Sequence, residues 1–175
     1  GLLDYLAAAE TVENGLAPEI VTEPGFTPND GRPLQFGLLG TIRGDLPLEE
    51  FLEAWRIARR NPLMSDATMN WYGHLGFFKW NAAPIASRIE SGQADGHVYH
   101  GPISQTEVPQ ALSGMSAMAM LLTSSRYVTA GKGFDYMASG RPVAGVFDPR
   151  NDTTTLFQNY PLYAGTATMH PHDIA

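Results

Sequence analysis

A lysine and an aspartate stand one helical turn apart in the segment TAGKGFDYMASG, residues 129–140. A helix is predicted from about residue 131 to 139, and Gly131 at its start would let an anion approach the backbone N–H groups closely. Lys132 would add a positive charge there, and Asp135 would lie on about the same face of the helix. This arrangement suits a ligand with an anionic end and a hydroxyl-rich end. A solvated ion pair on a short surface helix explains the same residues, and composition alone favours that explanation.

A second candidate cation, Arg43, lies in the segment LLGTIRGD between a predicted strand and a predicted helix. Arginine can bind phosphate through two parallel N–H donors. In a sheet with helices on both faces, the loop after the first strand often faces the ligand. A surface ion pair between Arg43 and Asp45 is an equally good interpretation of the local sequence, and the sequence leaves both open.

Several other chemistries are excluded by the motifs. Gly131-Lys132 is followed by glycine where a P-loop has Ser or Thr, so it is not a P-loop. Gly131 and Gly133 also lack the third glycine of the dinucleotide fingerprint. The sequence has no cysteine and no Gly-x-Ser-x-Gly elbow, which excludes thiol nucleophiles and the serine hydrolase arrangement. His97 and His100 would point to opposite faces of a predicted strand and could not share a metal ion. No metal site and no cofactor are therefore predicted.

Strand and helix patterns alternate along the chain, and this alternation must position the candidate residues. Predicted strands cover residues 34–39, 67–72, 97–103, 116–124, 142–147 and 161–164. Predicted helices cover residues 47–60, with Asp45 as its N-cap, 83–91, 104–114, with a Ser104–Glu107 capping box, and 131–139. The order predicts an α/β fold, a Rossmann-like parallel sheet with helices on both faces. Ligands bind at the carboxyl ends of such strands, which selects the loops 40–45, 101–104 and 124–132.

Composition bounds the organisation and the partners. Residues 1–33 are predicted to be a helix and a turn-rich linker, and residues 34–175 are predicted to be one domain. A net charge of -7 argues against nucleic acid, whose binding requires clustered Lys and Arg. The longest apolar run, residues 118–122, is too short to cross a bilayer, and no signal peptide opens the chain. Together with the absence of cysteine, these features lead us to expect a cytoplasmic protein.

Taken together, the segments resemble the C-terminal, donor-binding lobe of a GT-B fold glycosyltransferase. KGFDYMASGRPV is similar to that family's pattern of lysine, an acidic residue, Tyr-hydrophobic-Ala-x-Gly and then Arg/Lys-Pro-Val. VYHGPISQTEVPQALSGMSAMAMLLTSS resembles its strand, Gly-Pro loop, helix and buried strand, and LLGTIRGDLPLEEFLEAW resembles its opening strand, loop and helix. EPGFTPND resembles the linker between the lobes. The resemblance covers most of residues 20–157.

The resemblance implies a role for each candidate residue. Asp135 would bind the ribose hydroxyls of a nucleotide. The residues implied for the donor diphosphate are Arg43, Thr129, Ala130, Gly131 and Lys132. Those implied to flank the base are His100, Gly101, Pro102 and Ile103. Many retaining members have two glutamates separated by seven residues, and here the second position is Asp135 while the first is Tyr127.

The family transfers a sugar from a nucleotide-diphosphate sugar to an acceptor, without a metal in general. Its N-terminal lobe supplies the acceptor site and usually the catalytic base, so no catalytic residue is assigned in this chain. We expect a fragment that is inactive without that lobe, with its crossover helix missing or unfinished after Asp173. The resemblance leaves open a peripheral contact of the full enzyme with a membrane. Two alternatives stay open: a nucleotide-sugar epimerase lobe of the same architecture, and a non-catalytic regulatory or scaffolding lobe, which Tyr127 favours.

Overall fold

The computed structural model describes residues 31–77, 81–123 and 131–175, and within them six strands form one sheet. The strands are β1 (Gln35–Leu39), β2 (Thr68–Tyr72), β3 (His97–Gly101), β4 (Ala117–Leu121), β5 (Val143–Val146) and β6 (Tyr163–Gly165). Their order across the sheet is β3-β2-β1-β4-β5-β6, and every neighbouring pair is parallel. This confirms the predicted α/β fold. The predicted helix at 1–10 lies outside the described residues.

The helices of the described residues are α1 (Leu48–Ala58), α2 (Ala82–Ser91), α3 (Val108–Ser113), α4 (Lys132–Ala138), α5 (Thr153–Phe157) and α6 (Pro171–Ile174). The first four correspond to predicted helices, whereas α5 and α6 were not predicted. The helix α3 starts later than expected because Ser104 and Glu107 form a turn before it. The Ser104 N–H and hydroxyl donate to the Glu107 carboxylate at 2.7 and 2.6 Å, so only one half of the predicted capping box forms.

The predicted N-cap of α1 is wrong. The helix begins after Pro47, and no side chain caps it. The Asp45 carboxylate instead accepts two hydrogen bonds from the Arg43 guanidinium, at 2.8 and 2.5 Å. The bidentate pair competes well against an N-cap, because the guanidinium offers the carboxylate two parallel N–H donors and a full positive charge, whereas the helix start offers a backbone N–H.

Helices cover both faces of the sheet, as predicted. On one face, α1 buries apolar residues at helical spacing, among them Phe51 and Trp55, against β1 and β2, with α2 beside it. On the other face, α3, α4 and α5 pack on β4 and β5 through Leu112, Tyr136 and Phe157. The methionines of β4, which alternate with alanine, are buried in this second core cluster, in agreement with a structural role.

His97 and His100 point to opposite faces of the sheet, as predicted. His97 is buried and packs against the aromatic rings of α1 and β2. The His97 ring stacks on Trp71, and its Nδ1 accepts a hydrogen bond from the Trp71 indole N–H at 3.0 Å. The hydrogen on the imidazole must then be on Nε2, which is buried and has no partner among the described residues. Burial disfavours the imidazolium and lowers the pKa of His97 from 6.5 to about 4, against a smaller opposing effect of Asp95.

His97 should make the stability depend on pH. The unfolded chain binds a proton at His97 below pH 6.5, but the folded chain does not until about pH 4, so acid favours unfolding. The contribution of neutral His97 to the free energy of unfolding is complete above pH 6.5. About 3 kcal/mol of it is lost as the pH falls toward 4. Urea titrations from pH 7 to pH 4 should show a steeper loss for the wild type than for His97→Gln. Carboxylates shared by both proteins cancel in the difference, and parallel curves would contradict the assignment.

Candidate functional site

The strand order reverses between β1 and β4, and there the two strands pair only near their amino ends. The paired positions are Phe36 with Ala117 and Gly37 with Met118, whereas β1 and β2 pair along all five residues. Beyond Gly37 the space between β1 and β4 opens toward the carboxyl edge of the sheet. Such a reversal is where doubly wound sheets bind ligands.

At this opening the hydroxyl of Tyr136, on α4, forms hydrogen bonds with the backbone of Leu39, the last residue of β1. The Leu39 N–H donates to the Tyr136 hydroxyl oxygen at 2.8 Å, and the hydroxyl donates back to the Leu39 carbonyl at 3.3 Å. Tyr136 is fully buried, and burial raises the pKa of its phenol. Tyr136 belongs to the motif KGFDYMASGRPV, but the sequence alone indicated no role for it. The bond attaches α4 to the end of β1 and so sets the position of Lys132, one turn earlier.

A cavity of about 160 Å³ occupies the opening between the carboxyl ends of β1 and β4. Arg43, from the loop after β1, and Gly131 and Lys132, from the start of α4, line the same cavity. The structure therefore brings together three of the residues predicted for a diphosphate. Thr41 and Thr123 also line it and were not singled out from the sequence.

A second cavity of about 170 Å³ continues past Lys132 toward the end of β3. Both cavities are lined by Leu39, Gly40, Thr41 and Lys132. The far wall of the second includes Pro102 and Ile103, from the loop predicted to flank a base. We name the two together the edge cleft. The edge cleft runs from a cationic end at Arg43 to a largely apolar end at Ile103.

Glycines follow the ends of β1 and β2, and both line the edge cleft. Gly40 and Gly73 have φ angles of +140° and +143°, and residues that carry a side chain rarely adopt such angles. A Cβ added to Gly73 would lie 1.8 Å from the Gly40 carbonyl oxygen, so the two loops cross in direct contact. A Cβ added to Gly40 would meet the Lys132 side chain at 3.9 Å. That contact is an ordinary one, so the positive φ, and not the space beside Lys132, is what favours glycine at position 40.

Both cations of the cleft are ion-paired. Asp45 binds Arg43 as described, and Lys132 Nζ lies 3.4 Å from the Asp135 carboxylate. The surface ion pairs considered from the sequence therefore both form. Hydrogen bonding to Arg43 holds the pKa of Asp45 below its usual range. Exposed pairs of this kind contribute about 0–1 kcal/mol, so they do not prevent these cations from binding another anion.

His100 lies apart from its predicted neighbours. Its ring stacks on Tyr72 at 4.4 Å between centroids, and its Nε2 lies 2.8 Å from the Asn70 side-chain oxygen. Partial burial lowers the pKa of His100. Gly101, with a φ of +80°, turns the chain so that Pro102 and Ile103 reach the cleft. His100 thus supports the loop from the sheet side.

Thr129, Ala130 and Tyr127 lie outside the described residues. In the part of the chain that the structure describes, no group of three or more His, Asp or Glu side chains could hold a metal ion. Over the same residues, none of the helices combines the length and the apolar character that crossing a bilayer requires.

No protein-family model matches the sequence, and no curated protein matches it. Solved structures do share the fold. The GtfA/B complex aligns with a TM-score of 0.56 at 18% identity, over 82% of this chain and 27% of that one. Anabaena HepE, in complex with UDP and glucose, aligns with a TM-score of 0.59 at 13% identity, over 82% of this chain and 37% of that one.

The C-terminal domain of LpcC, a glycosyl transferase group 1 family protein from Francisella tularensis, aligns with a TM-score of 0.51 at 12% identity. That match covers 78% of this chain and 69% of the LpcC domain. The chain therefore has the fold of a GT-B glycosyltransferase lobe. It spans only 27% and 37% of the two longer chains.

Replacing Tyr136 with Phe should test how far the opening depends on its hydroxyl. The change leaves the buried Leu39 N–H without a partner, which should lower the free energy of unfolding by about 1–3 kcal/mol. Tyr99→Phe is the matched control, because its exposed hydroxyl donates to the Gly73 carbonyl, which water can satisfy. Urea unfolding measures both variants, and equal losses would argue against the special role of Tyr136.

Proposed function

We propose that this chain is the donor-binding lobe of a glycosyltransferase that transfers a sugar from a nucleotide-diphosphate sugar to an acceptor. The observation that carries the proposal is the shared cavity of Arg43 and Lys132 at the reversal of strand order. Two cations on one cavity suit a diphosphate, which can bind both at once. A monophosphate would satisfy fewer of their donors.

The second cavity gives the nucleoside a place to lie. It begins at Lys132 and ends at Pro102 and Ile103, so a nucleotide with its phosphates at Arg43 would extend its base toward the end of β3. Apolar walls at that end suit the faces of a base. HepE, one of the structures with this fold, is in complex with UDP and glucose, which supports a nucleoside diphosphate as the ligand class.

Asp135 is proposed for the ribose. Its carboxylate already accepts from Lys132, and it can accept hydrogen bonds from vicinal hydroxyls as well, because an ionised carboxylate has about four acceptor positions. Thr129, Ala130 and Gly131 are proposed to add backbone contacts to the diphosphate. Within the loop of the base, Gly101, Pro102 and Ile103 are proposed as contacts, with His100 holding the loop.

The chemical contribution of such a lobe is to stabilise the leaving diphosphate. As the bond between sugar and phosphate breaks, negative charge grows on the phosphate oxygens, and preorganised cations lower the energy of that state. Arg43 and Lys132 would do this. The acceptor site and the catalytic base belong to a second, N-terminal lobe in this proposal, which treats 1–33 as inter-lobe sequence and 34–175 as the donor domain of a cytoplasmic enzyme.

A thermal-shift screen of UDP, GDP, ADP and TDP tests the proposal directly. A ligand at about 100 times its dissociation constant should stabilise the fold by about 2.7 kcal/mol. Stabilisation by at least one of them supports donor binding and identifies the base. Failure of all four, together with failure of the corresponding nucleotide sugars, would favour a non-catalytic lobe. Conversion of a free nucleotide sugar to its epimer without any acceptor would favour the epimerase alternative.

Two variants should separate the ribose end from the phosphate end. Asp135→Ala should weaken nucleoside diphosphate binding by roughly tenfold and leave inorganic pyrophosphate binding little changed, because only the former carries a ribose. Lys132→Ala should weaken both ligands. Calorimetric titration of each variant with each ligand gives the dissociation constants. Equal losses for both ligands in the Asp135 variant would indicate a general structural role.

A further inference from the structure

One edge of the Arg43 guanidinium is occupied by the Asp45 carboxylate. Its Nε and Nη2 atoms donate to the two oxygens of Asp45 at 2.8 and 2.5 Å. The two residues are held together by a tight turn, in which the Leu46 N–H donates to the Arg43 carbonyl at 3.3 Å. This bidentate geometry is the same one that arginine uses to bind phosphate. Asp45 therefore takes the position and the charge that an anionic ligand would require.

The Arg43–Asp45 pair is open to exchange. The side chains are 31% and 58% exposed, so water solvates both partners once they separate. Exposed ion pairs contribute about 0–1 kcal/mol, which is small against the attraction of a diphosphate to two cations. Displacement of the carboxylate by a ligand is thus energetically easy, but it lowers the net affinity.

The guanidinium has a second support that does not depend on Asp45. Its Cζ lies 5.6 Å from the centroid of the Phe77 ring, in a cation–π contact. A ring on the face of the guanidinium leaves the donors in its plane free to change partner. Arg43 can therefore keep its place beside the cavity when the carboxylate leaves.

Lys132 differs from Arg43 in this respect. Its Nζ lies 3.4 Å from the Asp135 carboxylate, and this contact uses one of the three donors of the ammonium group. A phosphate can bind the remaining donors while Asp135 stays in place. Competition between an internal carboxylate and the ligand is therefore concentrated at Arg43.

We propose that Asp45 is an internal competitor for the anion site, whose carboxylate holds Arg43 until a phosphate group replaces it. The proposal rests on the proposed function in taking a diphosphate as the ligand. Asp45 thereby sets a threshold of affinity: anions that reach Arg43 alone displace it poorly, and a diphosphate that also reaches Lys132 displaces it well.

The test is calorimetric titration of the wild type, Asp45→Asn and Asp66→Asn with inorganic pyrophosphate and with the best nucleoside diphosphate. Asp66→Asn is the matched control, since it removes the same charge from an exposed position just before β2, at the amino edge of the sheet. Asp45→Asn should bind both ligands about twofold to fivefold more tightly than either the wild type or the control. A misfolded variant could not produce such a gain.

The outcomes separate the two proposals. Equal affinities of Asp45→Asn and Asp66→Asn would overturn the competitor role, and weaker binding by Asp45→Asn would show that Asp45 positions Arg43 instead. A gain for pyrophosphate, with no nucleoside diphosphate bound by any protein, would support the competitor and overturn donor binding. Absence of binding by every protein, with pyrophosphate included, would overturn both.

Discussion

The two hydrogen bonds between the Tyr136 hydroxyl and the Leu39 backbone are the constraint on which the rest of the site depends. A sheet whose strand order reverses must part its two central strands to admit a ligand, and each parted strand then has backbone groups without a strand partner. Burying an unpaired N–H costs about 1–3 kcal/mol, so the opening is stable only if something else accepts that hydrogen. The phenol of Tyr136, on the helix after β4, accepts it, and Tyr136 is also one of the residues that line the cavity.

The same constraint joins the two cations. Arg43 follows β1 directly, and Lys132 lies one turn before Tyr136, so the bond between Tyr136 and β1 fixes both sides of the cavity relative to each other. The cations can then be arranged before any ligand arrives, which reduces the cost of binding. Their pairing with Asp45 and Asp135 balances the charge of the two cations, in a chain whose net charge is -7.

Much of the fold could be predicted because it follows from local patterns. Alternating apolar runs and amphipathic segments gave the six strands and four of the helices, and the rule for parallel sheets brought Arg43 and Lys132 to one edge. Features that depend on competition between partners could not be predicted. Asp45 satisfies the rule for an N-cap and the rule for an ion pair, and only three-dimensional proximity decides between them. His100 likewise turned to Asn70 and Tyr72, which come from the neighbouring strand.

The contact between Gly40 and Gly73 has a consequence for the history of the gene. A glycine codon cannot change at its first or second base without adding a side chain, and at position 73 there is no room for even one carbon atom. Position 73 is therefore closed to every single-base change that replaces its amino acid, for as long as the ends of β1 and β2 keep this contact.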